Sequence, residues 1–336
     1  MNEPLVGTYG RVSGRNDSAL VDKDTTFNLA SISKTVTGAA IAVLIDRGLL
    51  SLDDDICDVL GGPVMIDGNI NTACRNPYFP VTNVTWRMLV THRSSINRDV
   101  GYIDENTTAE YGPTGANYPI NIVGNPTCPL NDTLQFFDDL FVNKTTETTV
   151  GNIGYSVDWY QLVQDTMGGV WNDTYAPGEK HVYSNIAVAY IAALVERLIG
   201  QKFDQFCREN VFVPAGMTHT SWFREDLLLG TVEAVPVYAY DEFIGTWEDV
   251  GHVCYITYAS AQLYSSINDM SRYADIMLSY GIGTLWSNET AMDHVFGCQE
   301  RDALGKLLSD NSLQCTNALS WFHLSNSKRD AWNDDY

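Results

Sequence analysis

Two long apolar helical patterns constrain the fold of this chain more than any other feature of its sequence. Apolar and small residues recur at three- and four-residue steps from Ile32 to Leu44 and again from Ile186 to Leu198. Ser31 can cap the start of the first helix, and a glycine stands shortly after each pattern, where a helix can end. The chain is therefore expected to be built around two helices of core length.

Shorter helical patterns surround these two, and extended segments are few. The shorter helical patterns are Trp86–Thr91, Leu134–Phe141, Asp158–Met167, Phe203–Val211 and Ile267–Leu278. Leu5–Tyr9 and Thr25–Leu29 are expected to be short extended segments around a polar turn. The stretch from Asn97 to Val150 is rich in Pro, Gly, Asn and Thr, which is typical of a long surface loop or lobe.

The charge of the chain argues against two classes of partner. Its 336 residues are 45% hydrophobic, enough for a folded core, and 20 Lys and Arg against 42 Asp and Glu give a net charge of −22. A nucleic-acid or anionic-membrane surface is basic, and no cluster of Lys and Arg occurs here. No stretch approaches the roughly 20 apolar residues of a membrane span, and no signal peptide is visible. We expect neither a nucleic-acid partner nor a membrane span, and leave the oligomeric state open.

Cysteines and glycosylation sequons bear on the compartment. The seven cysteines show no C-x-x-C pair and no zinc spacing with His, and their odd number leaves at least one thiol unpaired within the chain. Seven N-x-[ST] sequons begin at Asn16, Asn83, Asn106, Asn131, Asn143, Asn172 and Asn288. In a eukaryote these features favour a secreted glycoprotein in a disulfide-permitting compartment, whereas in a bacterium the sequons carry no information.

A serine and a lysine one helical turn apart, Ser31 and Lys34, form the first candidate for chemistry. Residues at i and i+3 share one face of a helix, about 6 Å apart at their Cβ atoms. The positive end of the helix dipole and burial both favour the neutral amine, which can then accept the serine proton. Ser325 and Lys328 have the same spacing in a polar loop, and the competing interpretation is an N-cap serine beside a surface lysine.

Tyr183 and Asn185, just before the second long helix, form the second candidate. A phenol beside an ammonium can shuttle a proton, and an asparagine can hydrogen-bond both a lysine and a substrate amide. The competing interpretation is a loop tyrosine that stacks on the core. His92 and His181 are expected to form hydrogen bonds in loop or core rather than to act as bases. Asp53–Asp55 is expected to be a helix-start acid cluster rather than a calcium site.

With these two motifs in this order, the chain resembles the serine β-lactamase-related hydrolases, the superfamily of class C β-lactamases, DD-peptidases and related esterases. Six segments match the family's order over roughly residues 20–321. They are Phe27–Thr35, Asp46–Asp54, Val84–Ser95, Tyr175–Asn185, Val213–Thr220 and Ala261–Met270. The first is similar to the family's nucleophile segment, S-x-x-K, and the fourth to its Y-x-N motif.

The resemblance implies an α/β fold, with an antiparallel sheet flanked by helices, an all-helical lobe beside it, and the site between them. Residues 1–336 would be one such domain, with the helical lobe at roughly residues 50–260. The implied roles are nucleophile for Ser31, general base for Lys34, proton relay for Tyr183, and substrate and lysine partner for Asn185. Whether the lysine or the tyrosine takes the first proton stays open.

The reaction that the resemblance implies is acylation of the serine by an amide, lactam or ester, followed by hydrolysis of the new ester by water. The substrate would be a small molecule or a peptide. The family uses no metal and no organic cofactor, so none is expected.

Departures from the family pattern keep other hypotheses open. After Tyr183 there is no Lys-Thr-Gly or His-x-Gly motif, which in the family supplies a substrate contact and an oxyanion N–H. In addition, Ser95 stands where the family usually has glycine. The family's first helix and strand also find no match, so the sheet is expected to be incomplete, either in a fragment or in a chain that needs partner strands. The alternatives are an inactive relative that acts in binding or assembly, and a secreted glycoprotein that acts through its 97–150 loop.

Overall fold

The computed structural model describes residues 7–12, 19–65, 67–97, 137, 141, 147–150, 155–158, 169–229, 234–241, 245–251 and 257–287. Within these ranges, helices are combined with antiparallel strand pairs. In chain order the elements are β1 Thr26–Asn28, α1 Ser33–Asp46, α2 Trp86–Val90, β2 Glu147–Val150, β3 Tyr155–Asp158, α3 Asn185–Ile199, α4 Phe203–Cys207, α5 Arg224–Leu229, β4 Val237–Asp241, β5 Thr246–Gly251, α6 Tyr258–Ala261, β6 Tyr264–Ser266 and α7 Ile267–Leu278.

Helix α1 is the first of the two predicted core helices, and its apolar residues from Val36 to Leu44 are buried. It ends at Asp46, and Gly48 takes the left-handed backbone that stops a helix, as predicted. The predicted N-cap at Ser31 is wrong. A 3-10 turn, Ala30–Ile32, runs directly into the helix, and no side chain caps it. The Ser31 hydroxyl therefore takes no part in capping α1.

Helix α3 is the second predicted core helix, and its boundaries follow from its end residues. The Ser184 side chain accepts a hydrogen bond from the backbone N–H of Ala187, and Gly200 ends the helix in the left-handed conformation. Ten of its first twelve residues after the cap are apolar, and all twelve are buried, so α3 packs between α1, α2 and α6. The apolar periodicity predicted this helix correctly.

Other sequence predictions meet the structure with mixed results. The helices predicted at Trp86–Thr91, Phe203–Val211 and Ile267–Leu278 are present, the second with a π-helical continuation. Asp158 ends strand β3, so the helix predicted to begin there is wrong at its first residue, and the rest of it lies outside the described residues. Of the extended segment predicted at Leu5–Tyr9, the described residues 7–9 belong to no strand.

Two further predicted segments lie mostly outside the described residues. Of the helix predicted at Leu134–Phe141, Phe137 and Phe141 are described, and both are buried in the core. Their rings pack on Tyr190 of α3 at centroid distances of 4.6 and 4.8 Å. The loop predicted over 97–150 is described at few positions, and its last four residues form strand β2.

Strands β1 and β6 pair antiparallel and set the position of the turn that carries Ser31. Thr26 lies opposite Ser266 and Asn28 opposite Tyr264, and the backbone N–H of Leu29 then donates to the Leu263 carbonyl at 2.8 Å. Among the described residues, the two other sheets are the β2–β3 and β4–β5 pairs. The pairing of β1 with β6 holds the start of α1 beside α6.

Two residues in the left-handed region shape the loop after α2. His92 has φ +56° and Ser95 φ +65°, a conformation in which glycine is far less strained than other residues. The Ser95 hydroxyl accepts from the Asn76 side-chain amide at 2.9 Å and donates to the Tyr175 carbonyl at 2.7 Å. Serine therefore occupies the glycine position of the family pattern, and its hydroxyl holds the loop in place.

Acidic residues at the start of the 3-10 segment Ile56–Val59 pair with arginines rather than with one another. Asp55 caps that segment and forms a two-point ion pair with Arg75, while Asp53 pairs with Arg87 at 2.8 Å.

The described part of the chain holds no group of three or more metal-ligating side chains. Nor do the described ranges contain a helix long and apolar enough to cross a membrane.

A disulfide joins Cys57 to Cys74, 17 residues apart in sequence. Replacing both cysteines with serine should lower the free energy of unfolding by about 3 kcal/mol, because the unfolded chain regains the entropy of an open loop of that size. Urea unfolding of the variant and the wild type, both without reductant, measures the difference and leaves the other cysteines unchanged. A difference under about 1 kcal/mol would contradict the prediction.

Candidate active site

The Ser31 hydroxyl stands exposed on the turn between β1 and α1. The Asn28 side chain shapes this turn, because its Oδ1 accepts from the Ala30 N–H at 3.1 Å and its Nδ2 donates to the Ala261 carbonyl at 3.4 Å. Ala30 has φ +44°, an uncommon conformation for a residue with a Cβ. The turn thus places the serine hydroxyl between Lys34 of α1 and Tyr183, two residues before α3.

Lys34 lies one turn further along α1, and its side chain is buried, with 4% of the residue exposed. Its Nζ lies 3.1 Å from Ser31 Oγ, 2.7 Å from Asn185 Oδ1 and 2.8 Å from the carbonyl oxygen of Ser260. These three partners come from the start of α1, from α3 and from α6. Each of them is uncharged, so the amine is held by hydrogen-bond acceptors on three sides.

Tyr183 completes the cluster from the residue before the α3 cap. Its hydroxyl lies 2.8 Å from Ser31 Oγ, and its ring centre lies 4.9 Å from Lys34 Nζ. The structure therefore brings together the four residues singled out in the sequence, Ser31, Lys34, Tyr183 and Asn185. A hydroxyl, an amine and a phenol share a hydrogen-bonded chain in which a proton can move between oxygen and nitrogen.

Two further groups in the site were not predicted from the sequence. The Ser260 carbonyl is a backbone acceptor, and no side-chain pattern marks such a group. Asn28 lies only three residues before Ser31, and an asparagine so close to a candidate nucleophile is a local signal that could have drawn attention.

His92 lies directly behind Tyr183, with the two ring centres 4.5 Å apart. It is buried, its ring meets His181 edge-on at 5.7 Å, and its Nδ1 accepts from the Ser184 N–H at 3.3 Å. Burial lowers the pKa of His92 to about 3, and positive charge on the nearby His181 or Lys34 acts in the same direction. The imidazole is therefore neutral at physiological pH.

The stability of the protein should fall as the pH drops below about 6.5 because of His92. In the unfolded chain His92 takes up a proton near pH 6.5, whereas in the folded protein it does so only near pH 3. The stabilising contribution is fully present above pH 6.5 and is lost toward pH 3, at up to roughly 1.4 kcal/mol for each pH unit. Urea unfolding between pH 7 and 5 should give a shallower pH slope for His92→Asn than for the wild type. Equal slopes would contradict the assignment.

Comparisons with known proteins agree on one family. A family model described as Beta-lactamase matches residues 2–306. Penicillin-binding protein 4* of Bacillus subtilis is 24% identical over 214 residues, covering 64% of this chain and 34% of that protein. The chain thus spans about a third of the length of that curated relative.

Two solved structures show the same fold at low identity. A penicillin-binding protein from Bacillus halodurans superposes with a TM-score of 0.54 at 20% identity, over 87% of this chain and 69% of that one. A D-amino acid amidase from Ochrobactrum anthropi does so with a TM-score of 0.54 at 14% identity, over 86% and 65%. The predicted α/β fold of β-lactamase and DD-peptidase type is confirmed.

Proposed function

The chain belongs to the beta-lactamase family, and from that premise we propose that it is a serine hydrolase whose Ser31 is acylated by an amide, lactam or ester. The observation that carries the proposal is that Ser31 Oγ lies within hydrogen-bond distance of both Lys34 Nζ and the Tyr183 hydroxyl, at 3.1 and 2.8 Å. A serine hydroxyl becomes a nucleophile when an adjacent base takes its proton. Here two candidate proton acceptors flank it.

Lys34 is proposed as the base because of what its other two partners are. The Ser260 carbonyl and Asn185 Oδ1 can only accept hydrogen bonds, so the amine must donate to both. A neutral amine has two N–H groups and one lone pair. In the neutral amine these two acceptors would engage both N–H groups and leave the lone pair for Ser31 Oγ, 3.1 Å from Nζ, as proton removal requires.

Tyr183 is proposed to relay the proton between Ser31 and the leaving group. Its hydroxyl lies 2.8 Å from Ser31 Oγ and its half-buried ring borders Lys34, so it contacts both the nucleophile and the base. As Oγ forms a bond to the carbonyl carbon, the serine proton passes to this lysine–tyrosine pair and then to the departing amine or alcohol. Water then attacks the ester carbonyl, and its proton passes through the same pair to Ser31 Oγ as the acid leaves.

The backbone N–H of Ser31 is proposed as one donor to the oxyanion that forms in this step. Among the described residues it has no hydrogen-bond partner, and it lies on the 3-10 turn that leads into α1. An N–H that points to where negative charge develops stabilises the transition state, typically by a factor of 10² to 10³.

The substrate is proposed to be a peptide or a small molecule, as the names of the relatives suggest. The first relative named above is a penicillin-binding protein, and one solved structure is an amidase for D-amino acids. Amides and lactams of D-amino acids are therefore the first class to test, with simple esters second. We further propose that residues 1–336 form one domain, with its helical lobe at about residues 50–260.

An extracytoplasmic or secreted location is proposed on the disulfide between Cys57 and Cys74, which persists in oxidising compartments. Of the sequon residues described, Asn83 is exposed, whereas the Asn172 side-chain amide donates to Asn97 Oδ1 at 2.8 Å. In a host that attaches N-linked glycans, Asn83 is therefore the better acceptor of the two.

Trapping of an acyl-enzyme tests the proposed function. The protein is incubated with a fluorescent penicillin, a D-alanyl amide and an activated ester, then digested with trypsin. Cleavage after Lys23 and Lys34 releases residues 24–34, which contain Ser31 and Ser33, and fragmentation tells the two serines apart. An adduct on Ser31 is expected from at least one compound. If none of the three compounds gives an adduct, the inactive binding or assembly protein becomes the better account.

A further inference from the structure

We propose that His92 is a positioning residue that holds the Tyr183 phenol against Ser31, an inference that rests on the proposed function. His92 belongs to neither of the two motifs that carry the chemistry, and it lies 91 residues before Tyr183 in the sequence. In the structure its ring packs against the Tyr183 ring at a centroid distance of 4.5 Å and a tilt of 32°.

His92 contacts three consecutive residues of the segment that carries the phenol. Its carbonyl oxygen accepts from the Val182 N–H at 2.7 Å, and its Nδ1 accepts from the Ser184 N–H at 3.3 Å. Between these two bonds its ring stacks on Tyr183. Both the backbone on either side of the tyrosine and the tyrosine ring itself are therefore held by one residue.

The backbone of His92 is strained in a way that serves this contact. Its φ of +56° costs a histidine on the order of 1–2 kcal/mol relative to ordinary conformations. The conformation is kept by the end of α2, where the His92 N–H donates to the Leu89 carbonyl and the Arg93 N–H donates to the Met88 carbonyl, at 3.3 and 2.7 Å. The turn directs the imidazole inward, under Tyr183.

The imidazole has two separable functions here, and no other side chain supplies both. It stacks as an aromatic ring, and its Nδ1 accepts from Ser184, which requires a neutral ring with its proton on Nε2. Neutrality matters because Lys34, His181 and Tyr183 face the same ring. A charged imidazole there would repel the ammonium form of Lys34.

Two variants separate the two functions. His92→Asn keeps an acceptor near the Nδ1 position and tolerates a left-handed backbone, but it removes the stacking ring. His92→Phe keeps the ring but leaves the Ser184 N–H without its acceptor. His219→Asn is the matched control, because that half-buried histidine bonds its neighbour Thr218 and not the active-site cluster.

The test compares acylation of Ser31 in two backgrounds, the wild-type protein and the Tyr183→Phe variant. With a fluorescent penicillin as the probe, His92→Asn and His92→Phe should each lower the acylation rate constant roughly 10- to 100-fold, because a small misplacement of a reacting group costs that much. The dissociation constant of the initial complex should change by less than about threefold, since His92 lies behind the tyrosine and not in the substrate space. His219→Asn should match the wild type.

In a Tyr183→Phe background, the same His92 variants should cause little further loss, because the hydroxyl that they misplace is already gone. Equal losses in both backgrounds would show that His92 acts on the fold in general, and would overturn the proposal. So would full activity of both His92 variants.

Crystal structures of the two variants provide a measurement that does not depend on activity. The distance between Ser31 Oγ and the Tyr183 hydroxyl, 2.8 Å in the wild type, should exceed hydrogen-bond length in at least one variant. An unchanged distance in both overturns the positioning role even if the wild type is never acylated. If the wild type is not acylated but the distance lengthens, the proposed function fails while the positioning of Tyr183 by His92 stands.

Discussion

Replacement of Ser31 by alanine is expected to abolish covalent labelling and to lower hydrolysis of any accepted substrate by roughly 10⁴-fold or more. The loss is large because no other hydroxyl in the described site has the same pair of partners: Oγ lies 3.1 Å from Lys34 Nζ and 2.8 Å from the Tyr183 hydroxyl. Stability should change little, since the side chain is exposed. The measurement is the burst of labelling by a fluorescent phosphonate, followed by turnover under substrate saturation.

Ser325→Ala is the matched control for this experiment. Ser325 and Lys328 repeat the S-x-x-K spacing in a region outside the described residues, and the variant should label at the wild-type rate. Labelling that survives Ser31→Ala but disappears in Ser325→Ala would transfer the nucleophile to the second pair and overturn the proposed site.

Replacement of Lys34 by methionine is expected to lower the acylation rate by roughly 10³- to 10⁴-fold while preserving the volume of the side chain. The reason is that a thioether cannot take the serine proton, whereas the Ser31 hydroxyl and the substrate space are unchanged. The protein should also lose on the order of 2–4 kcal/mol of stability, because Asn185 Oδ1 and the Ser260 carbonyl lose a buried donor. Urea unfolding and pre-steady-state labelling measure the two effects separately.

The pH dependence of the residual activity distinguishes catalysis from misfolding. The Lys34→Met variant should remain folded. If Lys34 is the base, the slow acylation of this variant should rise with pH, because hydroxide replaces the missing amine. Lys328→Met should behave as the wild type. A folded Lys34→Met variant with acylation within tenfold of the wild type would show that Tyr183 removes the proton without the lysine.

Much of the local structure was predictable because it depends on residues close together in the sequence. The apolar repeats predicted α1 and α3, and Gly48 and Gly200 marked where they end, since a left-handed glycine stops a helix within one turn. The i, i+3 spacing correctly predicted that Ser31 and Lys34 lie side by side. The same spacing could not tell this pair from Ser325 and Lys328. The capping role predicted for Ser31 from its place before the apolar repeat was wrong.

Contacts between distant parts of the chain were not predictable from such patterns. The Cys57–Cys74 bond is one of many pairings that seven cysteines allow, and nothing in their spacing selects it. The position of His92 is similar: a lone histidine after a short helix carries no signal that its ring will meet that of Tyr183. Both depend on how α2 and the loops around it pack against α3.

The sequence by itself determined which residues can do the chemistry, because a hydroxyl, an amine, a phenol and an amide at these spacings are chemical facts of the chain. Only the tertiary structure decided that they meet, since Tyr183 lies 152 residues from Ser31, and Asn185 and the Ser260 carbonyl lie 151 and 226 residues from Lys34. Burial of α1 against α3 and α6 brings them together, because close packing of small side chains lets three backbones converge on one amine.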